Sequence, residues 1–527
     1  MPDGADPAGT APEHDEPDRA EHVVEQSDFG RTVLFTGTGG AGRTTLAAAT
    51  ALASARRGDR TLLLTGESPE VLAAVLGPRG QQAPQEQQGR QGPYGRPGEP
   101  WQLAAEPGLW VLRVDPDEEF RTRSTAIQER CRTALELTGA TPLAPDELAP
   151  LPGAESFALL RALRAVRPPG QRPCGDTRRP YTQWEYTQRS YTGPEQVRHE
   201  HGPELPEGGP WDVVIADLPP VERTLSLLAL PEQLRRYLRR LLPGEKRVAR
   251  ALRPMLAELA GVPMPSAGLY RTAAGWDREL TAVQDLFTSQ HTTVRLVTEP
   301  APVPWTALRG LLPAYALYGL RVESTIANRV LPNDSADPWL AGLSAQQESV
   351  LAELRGWCRQ HAAAPGRRAP DPDPDSATDP DGSLTEVPHL GHDPRGLADL
   401  ATLGAAAALR PPDVRRGDPR AERAGADATE DLAGAVLGGV ENHLEEHGQL
   451  HWRLELPGAE RERLKLVRHG DELCVGVGPY RRMLPLPSAL RRCRVAGAAL
   501  DEGVLRIRFA PDPGLWPAGT GSPGSGG

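Results

Sequence analysis

Thr32-Val33-Leu34-Phe35-Thr36-Gly37-Thr38-Gly39-Gly40-Ala41-Gly42-Arg43-Thr44-Thr45 is the stretch on which the fold turns. An apolar run ends in a glycine cluster, and Leu46 to Arg57 then reads as an Ala/Leu-rich helix closed by Gly58. Thr61-Leu-Leu-Leu-Thr65 is a second apolar run. Strand, glycine loop, helix and strand in quick succession predict a βαβ unit with a parallel sheet. The glycine cluster fits the spacing G-x-x-x-x-G-K-[ST], with Arg43 at the lysine position. Glycines at that spacing let backbone N–H groups converge on phosphate oxygens, and the helix N-terminus adds its positive dipole end. Thr44 stands where a hydroxyl would ligate Mg²⁺.

Working outward, the runs Leu109–Val114, Val213–Ala216, Val294–Thr298 and Val322–Ala327 suit further buried parallel strands. Residues 1–28 hold nine acidic side chains against Arg19 and read as a disordered acidic tail. The α/β domain spans 29–410, interrupted by Gly-, Pro- or charge-rich inserts at 77–100, 168–210 and 364–383 that are expected to be disordered. The insert 168–210 carries a short echo at Tyr181, Tyr186 and Tyr191, read as a surface loop. Residues 411–446 are a charged linker and a helix-like stretch from Asp431 to Glu446. In 447–511, Trp452, Leu454 and Leu456, then Leu473, Val475 and Val477, then Leu505, Ile507 and Phe509 alternate with other residues. Period-two runs between turn signals predict a small all-β sandwich. Residues 512–527 form a Gly/Pro/Ser tail.

Composition narrows the function. Of 527 residues, 55 are Gly and 55 Pro, and only 39% are hydrophobic, which suits folded domains joined by unstructured segments. The net charge of −11 argues against nucleic acid as a partner. No apolar run is long enough to cross a membrane, and the acidic N-terminus lacks a signal-peptide core, so a cytoplasmic location is expected. The cysteines Cys131, Cys174, Cys358, Cys474 and Cys493 are scattered, without a CxxC pair. That excludes a disulfide framework or a tetrahedral thiolate zinc site as the organising principle. Only Lys246 and Lys465 are lysines among 59 basic residues, so arginine stands almost wherever a cation is wanted.

The glycine-rich stretch resembles the deviant Walker A motif of the ArsA / tail-anchored-protein-targeting ATPase family. Trp211-Asp-Val-Val-Ile-Ala-Asp217-Leu-Pro-Pro220 is similar to that family's Walker B and switch II segment, and Thr224 to Glu232 to its continuation into a helix. Val294 to Pro300, and Tyr318 to Pro332 with Asn328, resemble its later strands. Ala498-Ala-Leu-Asp-Glu-Gly503-Val-Leu505 resembles the α-crystallin-like small heat-shock module appended to such proteins in high-GC bacteria. The resemblance implies a P-loop NTPase fold with a mostly parallel sheet flanked by helices. It implies ATP or ADP with Mg²⁺ as cofactors, held by Gly37, Thr38, Gly39, Gly40, Ala41, Gly42, Arg43, Thr44 and Thr45, with Asn328 at the adenine. Thr44 would ligate Mg²⁺, Asp217 would hold a water of its second shell, and Arg43 would contact phosphate. It also implies a dimer, and a metalloid, ion-transport partner at the membrane or hydrophobic client whose handling follows the nucleotide state.

The departures from the family pattern matter as much. Thr38 replaces the lysine that reaches the partner's nucleotide, and Ser68 in Glu67-Ser68-Pro69-Glu70 replaces the aspartate that orients the attacking water. Glu222 replaces a switch II glycine. Phosphoryl transfer depends on positioned cations and an oriented water, so weak or lost hydrolysis is expected, with Glu67 or Glu70 as the only stand-in carboxylates. The alternative is an inactive pseudo-ATPase acting as a scaffold or chaperone-like binder, paired with itself or with an intact ArsA-like paralogue that supplies the lysine. The basic run Arg235 to Arg240 reads as a solvated helix face, Met255 and Met264 as core packing, and His389, His392 and Asp393 as a surface loop. No Ser-His-Asp or Cys-His constellation is visible.

Overall fold

The computed structural model describes residues 30–77, 97–130, 143–148, 153–167, 211–241, 267–289, 291–362, 384–406 and 438–515. The expected tail 1–28, most of the inserts, the tyrosine echo, the linker 411–429, Met255, Met264 and all but the start of 512–527 lie outside those residues.

The first sheet has eight strands: β1 (Arg31–Gly37), β2 (Thr61–Thr65), β3 (Trp101–Gln102), β4 (Leu109–Arg113), β5 (Val213–Asp217), β6 (Thr292–Thr298), β7 (Val322–Val330) and β8 (Leu384–Pro388). Their order is β3-β4-β2-β5-β1-β6-β7-β8, with β3 antiparallel to β4 and every other pair parallel. Alternate residues of one strand feed opposite faces, as the pleat requires. Val33 and Phe35, Leu63, and Val213 and Ile215 enter one core with α1 (Arg43–Arg56) and the Gly396–Ala406 helix. Leu34, Leu62 and Leu64, and Val214 and Ala216 enter the other, under the helices Ala154–Val166, Val221–Leu241, Ala267–Thr288 and Pro338–Ala362. The result is a three-layer α/β/α domain. The short strands β3 and β8 escape the sequence reading because two residues, or five ending in proline, carry no period of their own.

The second domain is all-β and sandwich-like. A sheet ordered β14 (Cys493–Asp501), β15 (Val504–Pro511), β10 (Gln449–Glu455), β9 (Val440–His443) faces a sheet ordered β11 (Leu464–His469), β12 (Glu472–Val477), β13 (Tyr480–Pro485). The nine alternating residues picked out from the sequence are all buried in one shared core. One expectation fails in its described part: of the helix-like stretch Asp431 to Glu446, residues 431–437 lie outside the described residues, Val440–His443 is an edge strand, and a short helix begins only at Leu444. Pairing with β10 decides it, because four residues gain more from a sheet ladder than from an isolated helical turn.

The two domains dock. Leu317 of the Leu312–Leu317 helix enters the β-domain core, while Tyr480 packs on the α/β core. Arg482 Nε bonds Glu232 Oε2 at 2.9 Å and its Nη1 donates to the Leu317 carbonyl at 2.8 Å. Arg236 pairs with Glu472 at 2.8 Å. The basic run is therefore not simply solvated: Arg236 faces the β-domain, and Arg235 ties its helix to Asp277 and Gln284 at 3.0 and 2.7 Å.

Candidate functional site

Register assembles the site. Asp217 at the end of β5 stands level with Thr65 at the end of β2 and with Phe35 of β1, so three strand ends open on one edge where the glycine-rich loop leaves β1. Gly37 must be glycine: a Cβ there would lie 1.8 Å from the Val297 carbonyl oxygen of β6. Gly40 and Gly42 have φ of 80° and 86°, left-handed values open to glycine at little cost. A Cβ on Gly39 or Gly40 would meet nothing within 4 Å, so the outer wall of the loop is open.

Asn328 braces the loop from beneath. It is buried, and its Nδ2 donates to the Ala41 carbonyl at 2.7 Å. It is aimed there by a bulge: the β7–β8 register breaks between Ala327 and Val330, and Arg329 takes a φ of 62°, tied to Glu299 by an ion pair. Thr38 turns inward, 3.4 Å from the Thr298 hydroxyl, and is buried. Arg43 Nη1 donates to the carbonyl of Leu218, the residue after Asp217. Thr45 lies in the first turn of α1.

Thr44, Glu67 and Asp217 converge. The Thr44 hydroxyl points at Glu67 Oε1, 3.4 Å away. Asp217 Oδ2 accepts from the Thr65 hydroxyl at 3.0 Å, and the buried Oδ1 has no hydrogen-bond partner among the described residues. Burial drives the Asp217 carboxyl up to about 6, the Thr44 hydroxyl and the Arg43 guanidinium temper the rise, and the Glu67 carboxylate adds to it. An orphaned carboxylate oxygen beside a second carboxylate and a hydroxyl is a hard oxygen donor set, and it fits Mg²⁺. Sequence reading missed Thr65 outright and weighed Glu67 only as a substitute base. The β2–β5 register is what reveals both. Ser68 is the N-cap of α2 (Pro69–Leu76), its hydroxyl accepting from Val71 N, and Glu70 is exposed.

The segment after Asp217 is held from two sides. Thr36 and Thr224 hydroxyls both donate to the Pro219 carbonyl, at 2.8 and 2.7 Å. The Tyr480 hydroxyl of the β-domain donates to the Glu222 carbonyl at 3.3 Å. Elsewhere, His389 Nδ1 accepts from Gly391 N, and His392 meets Asp399 of the Gly396–Ala406 helix at 3.1 Å. Cys358 is buried, Cys474 and Cys493 carry free thiols, and Cys131 and Cys174 lie outside the described residues. Among the described residues no helix is long and apolar enough to cross a membrane.

A mostly parallel sheet with a glycine-rich loop between a central strand and the next helix, and an aspartate one strand away, is the layout of phosphate-binding α/β domains. The family of anion-transporting ATPases matches residues 30–168 and 199–362, the HSP20-like domain found in ArsA matches 447–509, and the chain belongs to that family. It is 43% identical over 490 residues to an uncharacterized protein of Streptomyces coelicolor, covering 93% of this chain and 100% of that one. It is 27% identical over 514 residues to the Mycobacterium tuberculosis protein Rv2184c, covering 92% and 97%. A protein of Aquifex aeolicus, named as a candidate arsenical pump-driving ATPase, is 22% identical over 487 residues, covering 90% and 99%.

Proposed function

We propose that the chain binds ATP or ADP with Mg²⁺ at the glycine-rich loop and turns ATP over slowly, if at all. The observation that carries this reading is the buried Asp217 Oδ1, without a hydrogen-bond partner among the described residues, beside Thr44 and Glu67 and under a loop whose Gly39 and Gly40 face open space. In this reading the loop amides and the α1 N-terminus hold the phosphates, and Asn328 keeps the loop in shape from below. Arg43 retains its tie to Leu218 and offers other guanidinium N–H groups to phosphate, since that group carries five. Thr44, and Asp217 through water, hold the Mg²⁺, which when bound offsets phosphate charge.

Slow turnover rests on two side chains. Ser68 is spent as a helix cap where a water-orienting carboxylate is needed, and Thr38 is folded inward and carries no charge for a partner's nucleotide. Dimerisation with an ArsA-like paralogue that keeps the lysine would restore that cation. The nucleotide state would reach the β-domain through Pro219, Thr224 and the Glu222–Tyr480 contact, and there govern a hydrophobic client or an ion-transport partner. Glu67 favours a second reading, a competent ATPase in which this carboxylate serves the water.

Calorimetric titration of ATP and ADP, with and without Mg²⁺, tests the first reading. Binding at micromolar affinity that strengthens with Mg²⁺ is expected, and no heat under any condition refutes it. Steady-state phosphate release then separates the two. Turnover of about 1 s⁻¹ or faster, lost in Glu67→Gln, would establish the second.

A further inference from the structure

The edge of the β-domain gathers a donor set that the nucleotide site does not use. In the β9–β10 ladder His451 lies directly opposite Glu441, and His443 stands two residues from Glu441 on the same strand. Cross-strand partners and residues two apart share a face of a sheet, so all three project to one side, opposite the core-facing Trp452. The ligand atoms of Glu441, His443 and His451 all fall within 4.8 Å of one another, and all three residues are half-buried. The His443 and His451 rings lie 4.5 Å apart at 38°.

We propose that Glu441, His443 and His451 bind a divalent transition-metal ion of the Zn²⁺ type. The separation of His443 and Glu441 suits two ligands on one ion as well as it suits a direct contact. His443 Nε2 and Glu441 Oε2 stand 3.5 Å apart, long for a hydrogen bond. Ligands at tetrahedral positions about 2.0–2.1 Å from zinc stand roughly 3.3 Å from each other. Glu441 is anchored through its other oxygen, Oε1, by Arg453 at 3.3 Å, which leaves Oε2 turned to the imidazoles. The opposite nitrogen of His443, Nδ1, faces Glu446 Oε2 at 3.7 Å from the short Leu444–His447 helix. A carboxylate behind a metal-binding imidazole sets its tautomer and orientation, and Glu446 is placed for that. His447, also near Glu446 at 3.7 Å and more exposed, lies beyond this carboxylate. Two imidazoles and one carboxylate favour Zn²⁺ or Co²⁺ over Mg²⁺ or Ca²⁺, which prefer oxygen alone. Three protein ligands leave a fourth position for water, and the ion would fasten edge strand β9 to β10.

Co²⁺ is the probe, added to the full-length chain with Mg²⁺ in excess and with Asp217→Asn present, so that the nucleotide site does not compete. One equivalent should bind with visible d–d absorption and without a thiolate charge-transfer band, and Zn²⁺ should displace it. His443→Ala and His451→Ala should each weaken binding by about tenfold or more, and Glu446→Gln by less. His443→Gln, which keeps a polar side chain of similar reach, serves if the alanine variant is misfolded by circular dichroism. Affinity unchanged by His451→Ala, a thiolate band, or no Co²⁺ bound at all would overturn the proposal.

Discussion

Asp217 carries the largest electrostatic tension in the site. Its carboxyl is held at about 6, above its ordinary 3.8, first because it is buried and then because Glu67 faces it. A raised native value means that folding favours the protonated form. The stability this contributes is complete below roughly pH 4 and is lost as pH rises through about 6. Two units correspond to roughly 3 kcal/mol. Asp217→Asn removes the charge but keeps the shape, so without ligand it should be more stable than wild type at pH 7.5 by up to about 3 kcal/mol, and equal to it near pH 4. Urea melts across that range measure it. A variant less stable at neutral pH, or one that keeps the wild-type slope, would contradict the assignment. The same substitution should abolish the Mg²⁺-dependent gain in nucleotide affinity, because an amide oxygen is a far weaker partner for the water of a bound ion.

At the scale of elements, the loop between β1 and α1 is held by its surroundings more than by itself. Asn328 connects it to β7 beside a bulge at which Arg329 adopts a left-handed φ. Asn328→Ala leaves the Ala41 carbonyl without its partner and should cost about 1–3 kcal/mol, with nucleotide affinity falling alongside stability. Gly42→Ala strikes the same junction from the other side, since its Cβ would lie 2.5 Å from Asn328 Nδ2 at a φ of 86°. Gly42→Ala should lose more than Asn328→Ala, because its left-handed φ strains alanine in any surroundings, and the double variant should lose less than the sum because the clash with Nδ2 is gone. Independent, additive losses would separate them.

For the whole molecule, the question is whether the β-domain is an appendage or part of the ATPase. Arg482 joins Glu232 and the Leu317 carbonyl from a position only 10% exposed, and Leu317 itself is counted in the β-domain core. Removing one partner of a well-buried pair leaves the other uncompensated, at a cost of about 3 kcal/mol. Arg482→Ala should therefore split a single calorimetric transition into two. A single unshifted transition would show that the domains unfold independently of this contact.

Much of the architecture was legible from local pattern. Runs such as Thr61–Thr65 mark parallel strands because both faces of the sheet are covered, and the alternation at 452–456, 473–477 and 505–509 marks the sandwich because one face is. The glycine spacing at 37–42 placed the loop, since only glycine tolerates the close approach to Val297 and the positive φ values that follow. Other features have no local signature. Val440–His443 becomes a strand through its partner, and Arg236 leaves the solvent because Glu472 of a distant hairpin meets it. Glu67 and Thr65 belong to the site through a register with β5 some 150 residues away in sequence. The amino-acid sequence by itself determined the buried parallel strands, the alternating core of the sandwich, the glycine loop and the order of the two domains, because backbone sterics and hydrophobic period act over a few neighbours. Only the tertiary structure decided which carboxylates share the site, what Asn328 and Arg43 hold, and where the histidines gather, because those depend on which strand ends and edges are brought side by side.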